Sequence, residues 1–237
     1  MANTALAVAE AALRARKLDR TLTTSLPSAV RPNAAPTAMA RLDACLHGGM
    51  PRGQLSEIVG PQSSGRTTAA LHMLAAATRR GEIVALVDTF DRLDVASAAA
   101  AGLDLDRLLW IRGDASSLFD RVIERGLKAL NLVLQAGGFG LVLFDLADAP
   151  IQAINRIPYT TWLRIQRTIE GSETVCLLLA PHALARSAGG LTLTCGSRPA
   201  WEGSAARSRR LAGLEMGVRV VSPRRQVDGD VACSARL

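Results

Sequence analysis

Between residues 60 and 68 the chain reads Gly60-Pro61-Gln62-Ser63-Ser64-Gly65-Arg66-Thr67-Thr68. This is the spacing of a Gly-x-x-x-x-Gly-Lys-Ser/Thr phosphate-binding loop with arginine in the lysine position. Such a loop turns successive backbone N–H groups inward around phosphates, while an ammonium reaches the terminal phosphates and a hydroxyl ligates Mg²⁺. Gly60, Ser63, Ser64, Gly65, Thr67 and Thr68 supply the glycines and hydroxyls of that design. Arg66 retains the charge, but a broad planar guanidinium does not simply replace a compact ammonium inside a closed cradle. The chain has 28 basic residues, and Lys17 and Lys128 are its only lysines. A drift towards arginine is therefore one explanation of Arg66, although Lys128 shows that lysine remains in use. Two readings stay open: nucleotide hydrolysis weakened or lost, or an altered site that still works.

A second element is Leu141-Val142-Leu143-Phe144-Asp145, four apolar residues followed by an acid. This is the form of a Walker B strand, whose carboxylate would hold Mg²⁺ together with Thr67. Hydrolysis also needs a group that orients the attacking water. Asp88, Asp91 and Asp94 follow a buried-looking strand and are the candidates, with Asp94 better read as a helix cap. His47, His72 and His182 are isolated, and Trp110, Trp162 and Trp201 suit cores or partner contacts. Cys45, Cys176, Cys195 and Cys233 are scattered without a Cys-x-x-Cys pair, which argues against a zinc site or a disulfide framework.

The elements that must position these groups alternate in type. Strands are expected at Leu55–Val59, Ile83–Asp88, Leu108–Arg112, Leu141–Asp145 and Val175–Leu179. Helices are expected at Thr68–Arg80, Asp94–Ala101, Ser117–Gln135 and Tyr159–Thr168, with further β-rich stretches at Leu191–Thr194 and Val218–Val221. That alternation predicts an α/β fold, a mostly parallel central sheet with helices on both faces and a β-rich C-terminal extension. Ahead of it, Thr4–Arg20 reads as an amphipathic helix with Leu6, Ala9 and Leu13 on one face, tethered by a linker bearing Pro27, Pro32 and Pro36. Three parts are expected: an arm over 1–37, a core over 38–200 and a basic tail over 201–237.

The net charge of +7 concentrates towards the C-terminus. Arg207, Arg209, Arg210, Arg224 and Arg225 are candidates for contact with nucleic acid or an acidic partner. With 3% aromatic residues, no base-stacking platform is visible. No apolar run is long enough to cross a membrane and no secretory leader is recognisable, so a cytoplasmic location is expected.

Taken in order, Arg41-Leu42-Asp43, Gly48-Gly49, Pro51-Arg52-Gly53, Glu57-Ile58-Val59-Gly60 and the loop after them resemble the RecA recombinase core. In that family a similar series precedes GPESSGKTT. The likeness continues through Asp88–Asp94, similar to DAEHALD, and through Gly102–Leu109. The resemblance implies an ATP- and Mg²⁺-binding fold and an N-terminal arm that docks on a RecA-type subunit. It also implies that the family's water-activating glutamate falls on Phe90 and its lysine on Arg66, so that nucleotide would be held weakly or not at all and hydrolysis would be poor. A core of this size with a short segment between Ala180 and Leu191 and an arginine-rich end is similar to the ImuA family, RecA-related accessory proteins of bacterial mutagenesis cassettes. That likeness implies a role in SOS translesion synthesis as an adaptor between RecA and ImuB, an inactive polymerase relative, and leaves direct DNA contact and self-association open. The alternatives are a DNA-stimulated ATPase with an adapted loop and a SulA-like cell-division inhibitor.

Overall fold

The computed structural model describes residues 33–114, 118–185, 189–203, 209–221 and 230–236. In chain order the elements are β1 (Ala34–Ala35), α1 (Ala40–Cys45), β2 (Met50–Pro51), β3 (Gln54–Val59), α2 (Arg66–Arg79), β4 (Val84–Asp88), α3 (Val95–Ala100), β5 (Leu108–Arg112), α4 (Phe119–Ala136) and β6 (Leu141–Asp145). They continue with α5 (Ile151–Ile154), α6 (Tyr159–Ile169), β7 (Val175–Ala180), β8 (Thr192–Glu202), β9 (Arg210–Val221) and β10 (Asp230–Arg236).

The central sheet has eight strands in the order β10-β9-β8-β3-β7-β6-β4-β5. From β8 through β3 to β5 every pairing is parallel, and β9 and β10 add antiparallel strands at the other end. The continuous apolar runs of β4, β6 and β7 are what a parallel sheet buried on both faces requires. Val84, Val142, Leu177 and Leu178 are inaccessible to solvent. One face is covered by α1, α2 and α3, where the alanines of α2 (Ala69, Ala70, Ala75, Ala77) let the helix lie close against the strands. The other is covered by α4, α5 and α6, through Val122, Ile123, Leu130, Trp162, Ile165 and Ile169. Gly126 lets α4 approach β6, since a Cβ there would sit 3.0 Å from the Phe144 ring.

The fold class expected from the sequence is the one observed, but several boundaries differ. Residues 34 and 35, assigned to the linker, pair with Met50 and Pro51, and Thr37 is buried with both its N–H and its hydroxyl donating to Asp43 (2.8 and 2.7 Å). The core thus begins before residue 38. The boundary expected between 200 and 201 falls inside β8, and residues 210–221 and 230–236 are strands of the same sheet, so these stretches are not a tail appended to the core. The cause is legible afterwards: β8 and β9 alternate inward Cys195, Met216, Val218 and Val220 with exposed Thr194, Arg198, Glu215 and Arg219. Period-two alternation across a hairpin interrupted by glycines and arginines is a weaker signal than an unbroken apolar run. Among the described residues no helix is long and apolar enough to cross a membrane.

Glu57 fixes the chain where it leaves β7. Buried in β3, its carboxylate accepts the N–H groups of Leu184 (2.6 Å) and Ala185 (3.0 Å) and the hydroxyl of Thr192 (3.3 Å). Leu184 and Ala185, beyond β7, and Thr192, at the start of β8, therefore meet on one buried carboxyl group. Glu57→Ala orphans those three donors, and urea unfolding should show a loss of about 3 kcal/mol, the scale of leaving buried donors unpaired.

Candidate functional site

The loop between β3 and α2 lies at the carboxyl edge of the sheet, where β4, β6 and β7 also end, the place at which parallel α/β sheets take ligands. Its backbone has the turns a phosphate cradle needs: Ser63 (φ 60°) and Gly65 (φ 84°) are left-handed. The positive φ favours glycine at 65, and a Cβ there would in addition sit 2.6 Å from Met216 Sδ. The Ser64 hydroxyl is buried without a hydrogen-bond partner, while Thr67 and Thr68 are exposed towards a cavity of about 550 Å³. The loop residues from Gln62 to Thr68 line that cavity together with Arg92, Asp94, Asp145 and Asp148. Its size is that of an ordinary small-molecule site. The structure thus brings Ser63, Ser64, Gly65, Arg66, Thr67, Thr68 and Asp145 around one space, with Gly60 at the start of the loop.

Arg66 is the departure with the largest consequence. It is only 5% exposed, and its guanidinium donates to the backbone carbonyl of Gly60 and to that of Ala147 (2.9 Å). The side chain ties the first residue of the loop to the turn after β6. A lysine ammonium, a mobile point charge, would be free to meet phosphate oxygens; this guanidinium is already held by protein acceptors.

Asp145 ends β6 half-buried, and its Oδ1 accepts the Ala147 N–H at 2.8 Å. Burial pushes its pKa up to about 6; the Ala147 N–H opposes the rise, the charges of Asp88 and Asp148 add to it, and Arg66 opposes it weakly. A hard divalent cation with oxygen ligands is the group such a carboxyl would accept, and Thr67 offers a hydroxyl to the same cavity. The residues therefore fit Mg²⁺ in kind, and the unpartnered Ser64 hydroxyl and the turned loop fit a phosphate.

The three aspartates considered for orienting water have other work. Both oxygens of Asp88 are bound, Oδ1 by the N–H of Arg92 (2.8 Å) and Oδ2 by the N–H of Leu93 (2.9 Å) and by Trp110 Nε1 (3.1 Å). Asp91 forms a two-pronged pair with Arg112 (2.7 and 2.8 Å), which holds its carboxyl below the usual range, and Arg112 in turn stacks 4.6 Å above the Trp110 ring. Asp94 caps α3 by accepting from the N–H groups of Ala96 and Ser97 and from the Ser97 hydroxyl, the last being the main cause of its lowered pKa. Phe90 points the other way, 7% exposed, with its ring edge-on to Phe119 at 5.9 Å. Thus the position on which the resemblance places a water-activating acid belongs to the core beneath α4.

The hairpin of β8 and β9 forms a roof that the sequence did not reveal. Ser197 donates its hydroxyl to the Ser63 carbonyl, Met216 abuts Gly65, and the Cys195 carbonyl closes on Gly60. Only the sheet order, which sets β8 beside β3, brings these distant residues together. Of the arginines singled out at the C-terminal end, Arg209 is exposed and Arg210 pairs with Glu202 at 2.7 Å. Arg207, Arg224 and Arg225 lie outside the described residues, as do Leu6, Ala9 and Leu13.

Residues 24–154, more than half of the chain, match the family described as RecA N-terminal domain. A protein named RecA from Symbiobacterium thermophilum is 38% identical over 115 residues, 48% of this chain and 31% of the relative. One from Salinispora arenicola is 38% identical over 121 residues, 51% of this chain and 33% of the relative. One from Levilactobacillus brevis is 31% identical over 159 residues, 61% of this chain and 40% of the relative. The chain spans roughly a third of the length of the first two relatives it matches.

Two measurements check this site. The folded Asp145 carboxyl binds its proton more tightly than an unfolded aspartate does, so ionising it costs the native state free energy. Stability on this account falls as pH rises from about 4 to about 6 and stays reduced above that. Asp145→Asn, which keeps an oxygen for the Ala147 N–H, should raise the melting temperature at pH 7.5 and leave it nearly unchanged at pH 4; equal effects at both values would remove the assignment. Arg66→Ala should lower unfolding free energy by about 2 kcal/mol through the loss of its two carbonyl contacts, measured in urea.

Proposed function

The chain belongs to the RecA N-terminal-domain family, and from that premise we propose that it is an accessory protein of DNA-damage-induced translesion synthesis and mutagenesis. In this reading it acts as an adaptor between RecA and an ImuB-type polymerase-like partner, with little or no ATP hydrolysis. The observation that carries the reading is a pair of departures around the pocket: Arg66 is committed to the carbonyls of Gly60 and Ala147, and Phe90, after β4, packs into the core instead of lining the cavity. In phosphoryl transfer the protein contributes positioning and electrostatic stabilisation, and removing one such contribution typically costs about 100-fold or more in rate. A pocket altered at both the cationic and the water-orienting positions supports a role exercised through surfaces. The amphipathic stretch bearing Leu6, Ala9 and Leu13 is the proposed contact with RecA. Arg207, Arg209, Arg210, Arg224 and Arg225 are the proposed contact with DNA or an acidic partner.

A second reading, a DNA-stimulated ATPase with an adapted loop, is favoured by the cavity itself, in which Thr67 and Asp145 still share one space. Phosphate release by the purified chain separates the two. The adaptor reading expects turnover with single-stranded DNA no greater than that of Asp145→Ala, and none restored by Arg66→Lys alone, because no carboxylate takes the place of Phe90. DNA-triggered turnover abolished by Thr67→Ala and Asp145→Ala would establish the enzyme. Deleting residues 1–25 should abolish association with RecA in a pull-down, whereas Arg66→Ala should leave it intact.

A further inference from the structure

On the face opposite α2, the start of α4 and the start of α5 bound an open groove of about 460 Å³. Its lining includes Leu118, Phe119, Pro150 and Ala153, with Arg121 and Arg156 among the charged groups. Leu118 is 72% exposed, Phe119 54% and Ile151, between two lining residues, 54%. The floor is firm: Phe119 is held edge-on to Phe90, and Ala153, Ile154 and Val122 are buried in the core beneath. Asp120 is tied to Arg156 at 2.8 Å, which leaves two guanidiniums against one carboxylate around the groove.

We infer that this groove docks an acidic amphipathic helix of a partner protein, whose apolar face covers Leu118, Phe119 and Ile151 while its carboxylates meet Arg121 and Arg156. Helix-in-groove recognition rests on an apolar strip, charge of the opposite sign beside it selects the partner, and the groove offers an apolar strip with a basic rim. A second copy of this chain is the poorer occupant, because at a net charge of +7 it would bring like charge to a basic rim. A nucleic acid would satisfy the arginines but leave Leu118 and Phe119 against phosphates and oppose Asp120. The inference goes beyond the adaptor reading, since the groove takes such a segment whatever the loop does with nucleotide.

The test uses the full chain and a fluorescein-labelled 16-residue peptide with leucine at helical spacing on one face and glutamate elsewhere. A second peptide carries lysine for each glutamate, and a labelled oligothymidine is the nucleic-acid probe. Fluorescence anisotropy should show saturable binding of the acidic peptide, weakened at least tenfold by Leu118→Ser and by Arg121→Glu, with no comparable binding of the lysine peptide. Leu132→Ser, an exposed apolar position further along α4 that does not line the groove, should bind as the parent does. Thermal unfolding should be unchanged in all three variants, since each residue is exposed. Absent saturation, equal binding by Leu118→Ser, equal binding of the lysine peptide, or competition by oligothymidine alone overturns the inference. None of these outcomes depends on phosphate release or on RecA, so the failure of the groove and the failure of the adaptor reading are distinguishable.

Discussion

One guanidinium ties the glycine loop after β3 to the turn after β6. Arg66 reaches from the first turn of α2 back to the Gly60 carbonyl and across to that of Ala147, joining the exits of β3 and β6 through a single planar group. The fork geometry of arginine makes this possible, since its donors leave in fixed directions and can satisfy two acceptors at once. A charge held nearly out of solvent by neutral carbonyls is expensive unless hydrogen-bonded, and here the bonds are to backbone atoms that the loop itself presents. Arg66 is thus a brace of the protein at the position where a phosphate-binding loop carries its lysine.

Around that brace, the surrounding polar groups fall into place as structure. Asp88 gathers the chain beyond β4 by accepting two backbone N–H groups and the Trp110 indole, and Asp91 fastens the next turn to Arg112. With these bonds made, the turn from 88 to 94 leads directly into the cap of α3. Within that turn Phe90 joins Phe119 under α4, while Leu93 packs against the apolar cluster on the α2 face. A motif that could serve chemistry is here a well-bonded corner between β4 and α3.

Much of this was legible in the chain. Unbroken apolar runs such as Leu141–Phe144 and Val175–Leu179 have one physical outlet, a strand buried on both faces, and the glycine loop between a strand and an alanine-rich helix fixes its own location. Asp94 could be read as a cap because a carboxylate just before a helix has a local partner. The partners of Arg66 and Asp91 were not legible, since Ala147 and Arg112 are brought to them by sheet order and a hydrogen bond to a carbonyl leaves no mark on residue type. β10 and most of β8 and β9 were missed because Arg198, Pro199, Gly213 and Gly217 interrupt the pattern that identifies strands. Helix α5 is a single turn after Pro150, too short for periodicity to register.

The same hairpin makes the loop part of a larger mechanical unit. Ser197, Met216 and the Cys195 carbonyl touch the loop at residues 63, 65 and 60, so that a displacement of the cradle is a displacement of β8 and β9. Inward side chains of those strands share the apolar cluster that contains α2, while their outward side chains, Thr194, Arg198, Glu215 and Arg219, face solvent. Packed layers of this kind do not deform continuously, because each side chain sits in a space shaped by its neighbours. Arg66 thus braces two strand exits from below while the hairpin restrains the same loop from above. Anything that reshapes the cradle must work against both, because the pocket and the C-terminal strands are joined through these contacts at Gly60, Ser63 and Gly65.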